Sequence, residues 1–205
     1  MLKRDYCPTC QYPKTVCICQ VISPLQVCTH VIVMQHPSEV NHAKNTVRLM
    51  RLVMPNMQVF VGETAEDFTG LQTYLTQTTK PIYVVYPSET SQTASQCGAQ
   101  ADSIIILIDG TWRKAYKILQ SNPWLLDYPA IHLEVEHASN YIIRKAKRPD
   151  SLSTLEATAL LLSTLDPAAD TTPLFAAFDA MVQHRLSAMP EDIKARYQLH
   201  NKEVK

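Results

Sequence analysis

The stretch Ile104-Ile105-Ile106-Leu107-Ile108, closed by Asp109-Gly110, most narrows what this chain can fold into. A half-exposed strand alternates apolar and polar residues, and this run does not. Unbroken β-branched and aliphatic sequence of this length is the mark of a central parallel strand covered on both faces. The run is also far short of the ~20 apolar residues a bilayer crossing needs. Four further short runs are bounded by Pro, Gly, Asn or Asp: Val31–Met34, Val59–Val61, Ile82–Tyr86 and Ile131–Val135.

Helical patterns fall between and after these strands. In Asn41–Met54, Ala43, Val47, Met50 and Met54 share one stripe, and Lys44, Arg48 and Arg51 lie on the next. In Thr111–Gln120 the expected buried face is Trp112, Ala115, Tyr116 and Leu119, with Arg113, Lys114 and Lys117 outside. Ser153-Thr154-Leu155-Glu156 opens Ala157–Leu165 as a capping box. Pro173–Ala188 reads as another amphipathic helix and Glu191–Val204 as a charged terminal one. Alternating strands and helices predict an α/β domain with a mostly parallel sheet flanked by helices. The expected organisation is a small cysteine module over 1–24, the α/β domain over 25–190 and a charged tail over 191–205.

Composition removes several function classes. Over 205 residues, 19 Lys+Arg balance 19 Asp+Glu, and the charged fraction of 19% excludes a disordered polyelectrolyte. No apolar leader follows Met1, so a cytoplasmic, non-membrane protein is expected. There are only 4 glycines, none spaced as G-x-G-x-x-G or a Walker loop. A nucleotide-like cofactor would have to be held by other means.

Cys7, Cys10, Cys17 and Cys19 crowd into the first twenty residues. Four thiolates so close together suit a structural tetrahedral zinc, with no open position for catalysis. An iron–sulfur cluster or a pair of disulfides are the alternatives. Cys28 and Cys97 stand apart and receive no role.

Asp109-Gly110-Thr111-Trp112 follows the central strand, where open α/β sheets bind ligands. Asp109 is well placed for chemistry there; the competing reading is that Asp109 or Thr111 caps the next helix and Trp112 packs in the core. His36 in Gln35-His36-Pro37-Ser38-Glu39 is a catalytic base or, more in keeping with a lone strand-end histidine, a structural residue. Arg144, Lys145, Lys147 and Arg148 form a basic run that is either a solvated face or, with Lys44, Arg48, Arg51, Arg113 and Lys114, a surface for a polyanion.

Taken in order, these motifs resemble the DTW-domain proteins, the tRNA-uridine aminocarboxypropyltransferases. The resemblance rests on the cysteine quartet, Gln35-His36-Pro37-x-Glu39 with Asn45-Thr46, and Tyr86-Pro87. It continues through Asp109-Gly110-Thr111-Trp112 with Ala115, Ser139-x-Tyr141-x-x-Arg144, and Leu152-Ser153-Thr154-Leu155-Glu156-Ala157. One departure is Tyr12 ahead of Pro13, where a basic residue is usual.

The resemblance implies S-adenosylmethionine as cofactor and group donor, in a fold similar to the knotted SPOUT family. It places the cofactor against Tyr86, Pro87, Asp109, Gly110, Ser139, Tyr141, Arg144, Ser153, Thr154 and Glu156. Asp109, Thr111 and Trp112 would be catalytic, with Asp109 either the base for uracil N3 or the group that orients it. The cysteines would hold zinc, and the basic residues tRNA, with no protein partner. The implied reaction transfers the 3-amino-3-carboxypropyl group to N3 of a variable-loop uridine, position 47. The alternatives are an RNA methyltransferase of the same fold class and a non-enzymatic zinc-knuckle RNA binder.

Overall fold

The computed structural model describes residues 5–42, 44–134 and 152–190. Five strands form one sheet: β1 (His30–Gln35), β2 (Gln58–Val61), β3 (Ile82–Val85), β4 (Ile104–Asp109) and β5 (Ala130–Ile131). Their order is β2-β1-β4-β3-β5, and every neighbouring pair is parallel. All carboxyl ends therefore emerge along one edge. β4 lies between β1 and β3, as its continuous aliphatic run requires.

Five helices cover the sheet: α1 (Val47–Val53), α2 (Thr69–Thr76), α3 (Trp112–Ser121), α4 (Thr154–Leu165) and α5 (Thr172–Ser187). The strands send alternate side chains to opposite faces. Val31, Val33, Ile105 and Leu107 join the α1, α4 and α5 residues Met50, Leu161 and Phe178 in one core. Ile32, Met34, Ile104 and Ile106 meet Phe68, Leu71, Leu75 and Ile118 in the other. Each fully buried aliphatic side chain contributes about 1.5–3 kcal/mol, and β4 supplies such residues to both layers. Cys10, Tyr12 and Ile18 are buried in the first of these cores, so the cysteine module packs on the α1/α5 side of the sheet.

Several boundaries differ from the sequence reading. The helix expected from Asn41 begins at Val47, because Asn45 turns its side chain onto the backbone: Oδ1 accepts from Arg48 N at 3.2 Å, and Nδ2 donates to Val40 O at 2.9 Å. α2 carried no sequence expectation; its Thr69-Gly70-Leu71-Gln72-Thr73-Tyr74-Leu75-Thr76 is short and poor in strong helix formers. β5 ends at Ile131, and Val135 lies outside the described residues. The capping box is present in full: Ser153 Oγ accepts from Glu156 N at 3.2 Å, and Glu156 Oε2 accepts from Ser153 N at 2.8 Å.

The buried face of α3 also needs correction. Ala115 and Ile118 are its buried residues, whereas Trp112 is 44% and Tyr116 55% exposed. Both stripes of the helix are apolar, so periodicity could not choose between them. The docking of Ile118 beneath Phe68 and Ile106 decided the rotation.

Candidate functional site

A cleft of about 630 Å³ opens at the carboxyl ends of β3, β4 and β5. That volume falls within the range of small-molecule sites. Val85, Tyr86 and Pro87 line it from β3, Leu107 to Gly110 from β4, and Ile131, His132 and Leu133 from β5. Thr111, Trp112, Lys114 and Ala115 contribute from the start of α3, and Leu152, Ser153, Thr154 and Ala157 from the start of α4. Glu39, His42, Lys44, Asn45 and Thr46 close the side beyond β1.

Asp109 is the last residue of β4 and sits in register with Gln35, the last of β1. That pairing brings Gln35 Nε2 to Asp109 Oδ2 at 2.9 Å, and Thr154 Oγ1 donates to Oδ1 at 2.5 Å. Three segments distant in sequence thus fix one carboxylate. Gln35 is only 3% exposed, so its amide needs partners inside the protein. It finds them in Asp109 and, at 3.4 Å, Asn45 Oδ1. The side chain of Thr111, the N-cap of α3, makes no capping bond. Gly110 has no spare room, since a Cβ there would lie 3.0 Å from Lys114 Cβ and 3.4 Å from Ala115 N. A side chain there would require Lys114 at the start of α3 to shift by a few tenths of an ångström.

Charged groups gather around this centre. Lys114, expected outside, pairs with Glu39 at 2.7 Å, and both line the cleft. His36 does not line it. His36 Nδ1 accepts from Ser38 N at 3.2 Å, which leaves the proton on Nε2 to bond Glu63 Oε2 at 2.8 Å. Lys117 Nζ completes the cluster 2.6 Å from Glu63 Oε1. These partners, Lys117 first and then His36, hold the Glu63 carboxyl below its ordinary value. His36 thereby ties β1 to the Glu63 loop, in keeping with the structural reading. Arg48 lays its guanidinium 4.0 Å above the Tyr12 ring, and Arg51 is exposed on α1.

The four cysteines converge. Cys7 Sγ is 3.6 Å from Cys19 Sγ, Cys10 Sγ is 3.7 Å from Cys17 Sγ, and all four sulfurs lie within 4.8 Å of one another. A tetrahedron with Zn–S bonds of ~2.3 Å has S···S edges of about 3.8 Å, so the spacing fits a four-sulfur metal site. None is in a disulfide. Backbone N–H groups of Cys10 and Thr9 lower Cys7 to about 6, while the neighbouring sulfurs push Cys19 up to about 12. Sulfurs so crowded cannot all ionise without a cation among them.

The DTW domain profile matches residues 4–186. The chain belongs to the DTW-domain family. Within that family it is similar to proteins named tRNA-uridine aminocarboxypropyltransferase 2 from Mus musculus and Macaca fascicularis. Each is 29% identical over 171 residues, which is 80% of this chain and 57% of the relative. A protein of the same name from Drosophila melanogaster is 29% identical over 172 residues, covering 80% of this chain and 68% of that one. The chain therefore spans little more than half the length of the two mammalian relatives. No solved structure matches it.

Of the DTW residues expected to act, Tyr86, Pro87, Asp109, Gly110, Thr111, Trp112, Ser153 and Thr154 all line the cleft. Glu156 stands behind, its carboxylate turned back on Ser153 N. Ser139, Tyr141, Arg144, Lys145, Lys147 and Arg148 lie outside the described residues. Sequence reasoning assigned no role to Gln35, Glu39 or His132. The signal for Gln35 was available: an amide closing the apolar run Val31–Met34 is a polar group in a buried position.

Proposed function

We propose that this protein transfers the 3-amino-3-carboxypropyl group of S-adenosylmethionine to N3 of a tRNA uridine in the cytoplasm, and that the uridine is the variable-loop residue at position 47. The observation that carries the reading is the position of Asp109-Gly110-Thr111-Trp112 in the wall of the 630 Å³ cleft, at the carboxyl ends of a parallel sheet. The names of the mouse, macaque and fly relatives agree with it. No helix among the described residues is long and apolar enough to cross a membrane.

The donor would rest against Tyr86, Pro87, Asp109, Gly110, Ser153 and Thr154, with Ser139, Tyr141 and Arg144 completing its contacts. Its chemistry when bound is an electrophilic γ-carbon beside a cationic sulfur, which departs as methylthioadenosine when nitrogen takes its place. Asp109 provides the fixed anion. Gln35 donates to one oxygen of its carboxylate and Thr154 to the other, which fixes the plane the group would present to uracil N3–H. Holding N3 in line for displacement is worth several kcal/mol. A carboxylate tied by donors is a weak base, so Asp109 would orient N3–H and take up its proton only as the N–C bond forms and the C–S bond to the departing methylthioadenosine breaks. Lys44, Arg51 and Arg113, with Arg48, Lys114, Lys145, Lys147 and Arg148, would meet tRNA phosphates. The Cys7/Cys10/Cys17/Cys19 site would carry a structural zinc, and the sheet order suits a SPOUT-like knotted domain.

The test is mass spectrometry of nucleosides from tRNA incubated with protein and donor. A gain of about 101 Da on uridine is expected; about 14 Da would make the protein a methyltransferase, and no gain would leave an RNA-binding protein.

A further inference from the structure

Beside the cleft, α3 carries two large aromatic rings that the core does not use. Trp112 and Tyr116 are separated by four residues and so share one side of the helix. They are 44% and 55% exposed. Trp112 is part of the cleft wall and meets Tyr86 edge-on, with ring centroids 6.3 Å apart and planes at 70°. Tyr116 does not line the cleft. Tyr86 and Trp112 thus meet in the cleft lining, and Tyr116 follows Trp112 one turn further along α3.

The helix that bears them has no acidic residue between Trp112 and Ser121; of its three cations, Lys114 and Lys117 are paired with Glu39 and Glu63, and Arg113 is exposed. Exposed rings continuous with a catalytic cleft, on a helix of one charge sign, suit an unpaired nucleotide strand. Each base presents a π face to the rings, while its phosphates are drawn to the exposed Arg113.

We propose that Trp112 and Tyr116 form a stacking platform for unpaired RNA: Trp112 receives the target uridine at the cleft mouth, and Tyr116 receives the base next to it. The assignment of Tyr116 rests on the tRNA reading above and extends it to a residue outside the cleft. The platform explains why a helix with an adequate buried stripe at Ala115 and Ile118 also keeps two aromatic residues in water. It confines the substrate to loops whose bases can be splayed out, because stacked or paired bases offer no free face.

The experiment compares wild type, Tyr116→Ala and Tyr116→Phe in steady-state transfer to tRNA, with donor affinity measured by calorimetry using S-adenosylmethionine. Tyr116→Ala is expected to raise the KM for tRNA about tenfold, to leave kcat within about twofold, and to leave donor affinity unchanged. Tyr116→Phe, which keeps the ring, should behave as wild type. An unchanged KM in the alanine variant, a phenylalanine variant as impaired as alanine, or a matching loss of donor affinity would each overturn the platform. A second readout needs no turnover: hexauridylate should quench tryptophan fluorescence in wild type and not in Trp112→Phe, and absence of quenching overturns the platform. A wild type that quenches but transfers nothing would overturn the proposed reaction while supporting the platform.

Discussion

Replacing Thr154 by Val tests the geometry on which the site depends. The two side chains have nearly the same shape, so the change removes a donor without opening a cavity. What is lost is the bond from Thr154 Oγ1 to Asp109 Oδ1, 2.5 Å long and made to a carboxylate. Removing one partner of a bond to a charged group costs about 1.5–3 kcal/mol. At a urea m-value of about 3 kcal/mol/M, the midpoint should fall by roughly 0.5–1 M. Gln35 still holds Oδ2, and the looser placement of Oδ1 should lower single-turnover transfer by roughly 10–100-fold. Thr154→Ser keeps the hydroxyl and should recover most of both losses. Urea titration with nucleoside mass spectrometry at single turnover reads the two quantities together. A Val variant with an unmoved midpoint and wild-type transfer would refute the claim that Thr154 fixes Asp109.

Asp109→Asn should reduce turnover by at least about 100-fold and cost far less in S-adenosylmethionine affinity, as calorimetry beside rate measurement would show; equal activity would remove Asp109 from the reaction. Purified protein should hold one zinc per four-cysteine site, measured by plasma emission, and Cys10→Ser should lose the metal and loosen the packing of Cys10, Tyr12 and Ile18 in the core, seen as faster amide exchange in α1 and α5. The depressed Glu63 carboxyl contributes stability that is complete above its ordinary value of 4.5 and is lost as the pH falls through its lower folded value. Thermal melts of wild type and Glu63→Gln should therefore differ most above pH 4.5 and converge in stronger acid; parallel acid limbs would deny the linkage.

Much of this site was legible residue by residue, because the relevant physics is local. A run such as Ile104–Ile108 can satisfy itself only between two covering layers, and Ser153 with Glu156 closes a cap within one helical turn. Four cysteines between 7 and 19 are tethered too closely to avoid one another, and they do meet. Cleft-lining positions at strand ends followed from the parallel sheet itself.

What sequence could not decide were relations between segments far apart along the chain. The register Gln35↔Asp109 sets which polar group meets the carboxylate, and it depends on how β1 and β4 align over their whole length. The rotation of α3 was open because Trp112/Tyr116 and Ala115/Ile118 are both apolar stripes; contact with Phe68 and Ile106 chose the second and left the first in water. Lys114 looked like surface charge until packing carried Glu39 to within 2.7 Å of it. Periodicity reports which faces a segment can bury, whereas the energy that selects among them comes from side chains elsewhere in the chain, and only the folded packing brings those to bear.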